Sequence, residues 1–103
     1  MYYESHITVE PVFDERLDRF AELCAVRGFR PAKLMMKKRA QDTPERSKYD
    51  SFCTGRDKDK DSLIERMHAL VGDLQTEGYA VWRYKIEHVI LDCRLFKVVD
   101  MKD

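Results

Sequence analysis

An α+β domain with elements in the order βαββαβ is what this chain predicts, and three observations carry the prediction. An alternating apolar and polar run opens the chain, two amphipathic segments of helical period follow, and both end on the same kind of stop. Those stops, Arg27-Gly28-Phe29 and Glu77-Gly78-Tyr79, lie 50 residues apart, and each follows a strand-helix pattern and precedes another strand. The chain therefore reads as two βαβ halves. Right-handed crossovers in both halves place strands 1 and 3 at the centre of one antiparallel sheet, strand 4 beside strand 1 and strand 2 beside strand 3. Both helices then cover one face, the ferredoxin-like arrangement, and the other face is left open.

Residues 2–10 alternate, with Tyr3, Ser5, Ile7 and Val9 on one side and Glu4, His6, Thr8 and Glu10 on the other, as expected of a half-buried strand that Pro11 ends. Asp14 is expected to cap a first helix to about Arg27, with Leu17, Phe20, Ala21 and Cys24 as its apolar stripe. Lys33 to Arg39 reads as strand 2 and residues 40–47 as a polar hairpin loop, longer than the roughly two to five residues usual for one. Strand 3 is expected over Tyr49 to Thr54, stopping at Gly55, with Arg56 to Asp61 an exposed connector. Ser62-Leu63-Ile64-Glu65 has the S-x-x-E form of a capping box, and Leu63, Met67, Leu70, Val71 and Leu74 give the second helix a continuous stripe that needs a sheet to cover. In the last strand Trp82, Tyr84 and Ile86 share one side, expected to face the core, and Arg83, Lys85 and Glu87 share the other. His88 continues the apolar side. Residues 1–94 form the domain on this reading, and residues 95–103 a tail whose Leu95, Phe96, Val98 and Val99 pack on it or on a partner.

The 103 residues suit a single core. With 19 basic and 19 acidic residues the chain is neutral, so no global field draws it to nucleic acid or membrane, and any such preference is local. The opening residues lack a basic region followed by an apolar one, and no apolar run approaches the roughly 18 residues of a membrane span, so the expected location is cytoplasmic, with no membrane partner. Cys24, Cys53 and Cys93 are odd in number and widely spaced, which suits buried thiols better than disulfides. They and His6, His68 and His88 contain no CxxC or HxxxH pair, so the sequence names no metal site and no cofactor.

His6-Ile7-Thr8-Val9 is an H-x-T element on a strand, with His6 and Thr8 on one face. It resembles one of the two H-x-[T/S] motifs of the 2H phosphoesterases. The resemblance implies a phosphodiesterase in which histidines transfer protons and hydroxyls hold phosphate oxygens. The second motif would fall on His88-Val89-Ile90-Leu91, where Ile90 replaces the hydroxyl and the strand phase turns His88 away from His6. Over nearly its whole length the chain also resembles a set of small bacterial and phage proteins that open on H-[IV]-T-[IV]-x-P and carry a late K-I-E strand, here His6 to Pro11 and Lys85 to Glu87. That resemblance implies a fold and no activity.

Between Arg27 and Gln41 stand six basic residues and no acid, among them Lys37 and Arg39 on strand 2. They mark either an anion-binding edge or an edge strand guarded against unwanted pairing. Tyr2 or Tyr49 offers a stacking surface, whereas the aromatic signature of ferredoxin-like RNA modules is absent from strand 3, so nucleic acid has little to support it. The favoured expectation is a non-enzymatic binding module, a homodimer, that holds a small anionic, nucleotide-like ligand or a protein partner. Its site would draw on Tyr2, Glu4, His6, Thr8, Lys37, Arg39, Arg83 and Lys85. The alternative is a reduced 2H-like phosphoesterase acting through His6, Thr8 and His88.

Overall fold

The computed structural model describes residues 1–32 and 51–90, together with the backbone of Val98–Lys102. The elements are β1 (Tyr2–Val9), α1 (Asp14–Val26), β2 (Arg30–Pro31), β3 (Phe52–Asp57), α2 (Lys60–Thr76), β4 (Val81–Val89) and β5 (Val98–Lys102). Among the described residues they make one antiparallel sheet in the order β2-β3-β1-β4-β5 with two helices, so the predicted α+β ferredoxin-like order is present. A fifth strand is added to the four expected. Within the tail, Val98–Lys102 pairs its backbone with Ile86 to Val89 of the same chain. The basic segment from Lys33 to Arg39 and the hairpin loop lie outside the described residues, as do Tyr49, Cys93 and residues 95–97.

Alternation in β1 sets the layers. Ser5, Ile7 and Val9 are buried under the helices, where they meet Leu17, Phe20 and Cys24 of α1 and Leu63, Met67, Leu70 and Leu74 of α2. The stripe expected of α2 is thus the core, each such side chain contributing about 1.5 to 3 kcal/mol by leaving water. Both helices end as expected. Phe29 N–H donates to the Cys24 carbonyl and Gly28 N–H to Ala25, and in α2 Tyr79 donates to Leu74 and Gly78 to Gln75, with Gly28 and Gly78 at φ +75° and +88°. Arg19 bridges to Glu77 at 2.7 Å and Arg27 to Asp73 at 2.8 Å, tying α1 to the end of α2.

Several local expectations are corrected. The start of α2 is capped by Asp59, whose carboxylate accepts from Asp61 N–H at 3.1 Å, so Ser62 lies inside the first turn. Helix α1 begins after Phe13 with no side-chain cap, and Asp14 is its first residue, at φ +51°. Strand β3 does not stop at Gly55 but runs through it to Asp57, so Arg56 belongs to the sheet. Here glycine marks close approach: a Cβ on Gly55 would lie 2.7–2.8 Å from three ring carbons of buried Phe29. Glu10 lies beyond the end of β1, and its carboxylate receives Arg16 and the N–H of Ala80. Trp82 and Tyr84 do not enter the core but are 58% and 38% exposed. The cause is a bulge: Thr8 pairs with Arg83 but Val9 pairs with Val81, which leaves Trp82 as the extra residue. Tyr84 stands at the flank of the helix layer, its ring edge-on to His68 of α2.

Candidate functional site

Because residues paired across an antiparallel sheet share a face, the register alone assembles the face turned away from the helices. Three rows cross it. The middle row is Arg30 (β2), Thr54 (β3), His6 (β1) and Lys85 (β4). On one side stand Arg56, Glu4 and Glu87, and on the other Phe52, Thr8 and Arg83.

His6 is the hub. Its Nδ1 is 3.1 Å from the Thr54 hydroxyl, and its Nε2 is 2.7 Å from Glu87 Oε1 and 3.4 Å from Glu4 Oε1. The two carboxylates are held from behind: Arg56 Nε donates to Glu4 Oε2 at 2.7 Å, and Lys85 Nζ lies 3.4 Å from Glu87 Oε2. The side chains of His6, Glu4, Glu87 and Lys85 are only 14–24% exposed, so these contacts are less screened by water than ordinary surface pairs. A neutral imidazole has one N–H, and the short contact to Glu87 assigns it to Nε2, leaving Nδ1 to accept from Thr54.

Charge is unevenly shared. Four cations, Arg30, Arg56, Arg83 and Lys85, face two carboxylates, both engaged with His6 and with Arg56 or Lys85. Arg30 and Arg83 make no ion pair among the described residues. Beside the hub runs a groove of about 750 Å³ whose lining includes Glu4, His6, Arg30, Phe52, Thr54 and Arg56. Phe52 packs edge-on to the His6 ring at 6.3 Å.

Of the residues the sequence singles out, Glu4, His6, Thr8, Arg83 and Lys85 lie together on this face. Tyr2 sits at its end, with the Arg56 guanidinium 5.4 Å from its ring centre. His88 does not join them. It pairs with Tyr3 and stacks on that ring at 4.4 Å, on the side of the sheet that carries the helices. Lys37 and Arg39 lie outside the described residues. Sequence reasoning missed Arg30, Phe52, Thr54, Arg56 and Glu87 as site residues. The signal that finds them is register: once β3 runs through Gly55, Phe52, Thr54 and Arg56 fall opposite Thr8, His6 and Glu4.

Elsewhere Cys24 and Cys53 are buried free thiols, and Cys53 is pushed well above the usual thiol range by its contact with Cys24 and by burial. No helix among the described residues is long and apolar enough to cross a membrane. No family model, curated protein or solved structure matches the chain.

Proposed function

We propose that the protein is a non-catalytic binding module that holds a small anionic ligand of the nucleotide type on the outer face of its sheet. The observation that carries this is the pair of cations with no carboxylate partner among the described residues, Arg30 and Arg83, flanking the Thr54 and Thr8 hydroxyls and the His6 ring in a chain that is neutral overall. An uncompensated guanidinium beside hydroxyls favours phosphate, which takes bidentate N–H donors and O–H donors together. The groove has the volume of a small-molecule site, typically about 300 to 1,000 Å³. Among the described residues Phe52 supplies the one aromatic surface in its lining, enough for one base and short of the platform that RNA modules spread over strand 3. Every residue invoked belongs to one chain, so a second copy is not needed. The two-histidine alternative lacks this support, since His6 and His88 lie on opposite faces and no single phosphate reaches both.

Thermal shift and calorimetry with AMP, and with adenosine as the uncharged control, test the proposal on protein kept in a chelator. AMP at 100 times its dissociation constant is expected to add about 2.7 kcal/mol of stability. Adenosine should add far less, and Arg30→Gln or Arg83→Gln should remove most of the difference. Equal effects of AMP and adenosine, or full AMP binding by both variants, would contradict it.

A further inference from the structure

We infer that Glu4, His6 and Glu87 form a binding site for one first-row divalent transition metal ion, with zinc as its best fit. His6 Nε2 lies 3.4 Å from Glu4 Oε1 and 2.7 Å from Glu87 Oε1, and one ligand atom from each of the three residues lies within 4.8 Å of the other two. Ligands at about 2.0 to 2.2 Å from a zinc ion sit roughly 3 to 3.5 Å apart, so small side-chain rotations bring the three atoms onto one ion. One imidazole nitrogen with two carboxylate oxygens suits zinc, whereas magnesium and calcium prefer shells made of oxygen alone.

Proximity by itself is common among acidic side chains. What separates this group is the shell behind it. Each atom aimed at the common point belongs to a side chain whose other end is fixed by a residue outside the trio: Glu4 Oε2 by Arg56 at 2.7 Å, His6 Nδ1 by Thr54 at 3.1 Å, and Glu87 Oε2 by Lys85 at 3.4 Å. Outer partners of this kind orient metal ligands and set the histidine tautomer. The proton balance also closes within the site. When Nε2 takes the metal, its proton is carried at Nδ1 instead, and the Thr54 hydroxyl turns from donor to acceptor, so neither group is left unpaired. Glu4 and His6 line the groove, so the ion's remaining positions point where water or an anion can occupy them. Because Arg56 and Lys85 already balance the two carboxylates, a bound dication leaves the site positive and strengthens its pull on an anion. The metal site stands without the ligand reading, whose test is run in chelator.

The test is calorimetric titration of the full chain, stripped with chelator, at neutral pH. One zinc ion per chain is expected, with magnesium at least 100-fold weaker. His6→Asn and Glu87→Gln should each weaken zinc by 100-fold or more, and Thr54→Val by about 10- to 100-fold. Nitrogen-15 imidazole spectra of the unaltered protein give a readout that no variant's folding can confuse: zinc should move the His6 proton to Nδ1 while His68 and His88 stay unchanged. Absence of stoichiometric zinc binding, binding indifferent to the His6 and Glu87 substitutions, or spectra in which His68 or His88 responds in place of His6 would each overturn the site.

Discussion

The two faces of β1 are built from alternate residues of one eight-residue strand and follow different rules. Ser5, Ile7 and Val9 enter a dry layer where shape decides, and their neighbours across the sheet and in the helices are almost all apolar. Glu4 and His6 enter a layer where their polar atoms meet partners on other strands beside a groove, and Thr8 stands on the same face between Phe52 and Arg83. The covered face makes the fold, and the outer face spends little of that stability. Substitutions should therefore separate cleanly into those that unfold the protein and those that alter what it binds.

The largest effect should come from truncation under the helices. Leu70→Ala is expected to cost about 2 to 5 kcal/mol in urea unfolding, while Thr8→Ala on the outer face should cost under about 1 kcal/mol. Comparable losses at the two positions would erase the distinction. Next comes Gly55→Ala, whose methyl group would press on the Phe29 ring, for about 1 to 3 kcal/mol. Combining it with Phe29→Leu should cost less than the two single changes together, because the smaller side chain vacates the contact.

Acid should act on the helix layer and its connector before the core. The backbone N–H of Asp59 holds the Asp57 carboxyl below its ordinary range, Arg27 does the same for Asp73, and Arg19 for Glu77. A carboxyl depressed in the folded state releases its proton more readily there than in the unfolded chain, so its stabilisation is complete above the ordinary carboxylate range. It is lost as pH falls through about 4 and below. Urea midpoints should be flat near neutrality and decline in that acid window, and Asp73→Asn should flatten the decline. The smallest effect belongs to Ser5, whose buried hydroxyl has no hydrogen-bond partner among the described residues. Ser5→Ala is expected to leave stability unchanged or raise it by roughly 0.5 kcal/mol, a shift that thermal unfolding can read.

Much of this architecture is legible in the residues. Period 2 in β1 and period 3.6 in α2 name their buried faces, and the matched Gly28 and Gly78 stops reveal the two halves. What misled was punctuation. Gly55 looks like a strand end but is a contact point for Phe29, and Ser62 looks like a cap one turn after Asp59 has already served. Trp82 reads as core because a bulge leaves no mark in an alternating pattern, while Tyr84 keeps its phase opposite Ile7 but stands at the flank of the helix layer. The site was half legible for a related reason: His6 and Thr8 stand out as a motif on one strand, but Thr54 and Glu87 meet His6, and Arg56 meets Glu4, only through pairing between distant segments. Phase did place His88 correctly, on the side of Ile86 and away from His6.

That a ligand belongs on the outer face is tested most directly by amide correlation spectra of the nitrogen-15-labelled protein titrated with AMP. The shifts should concentrate on Arg30, Phe52, Thr54, His6, Thr8 and Arg83, and Tyr3, His88 and the residues of α1 should stay still. Shifts confined to the helix side, or none at concentrations where other anions bind, would contradict it.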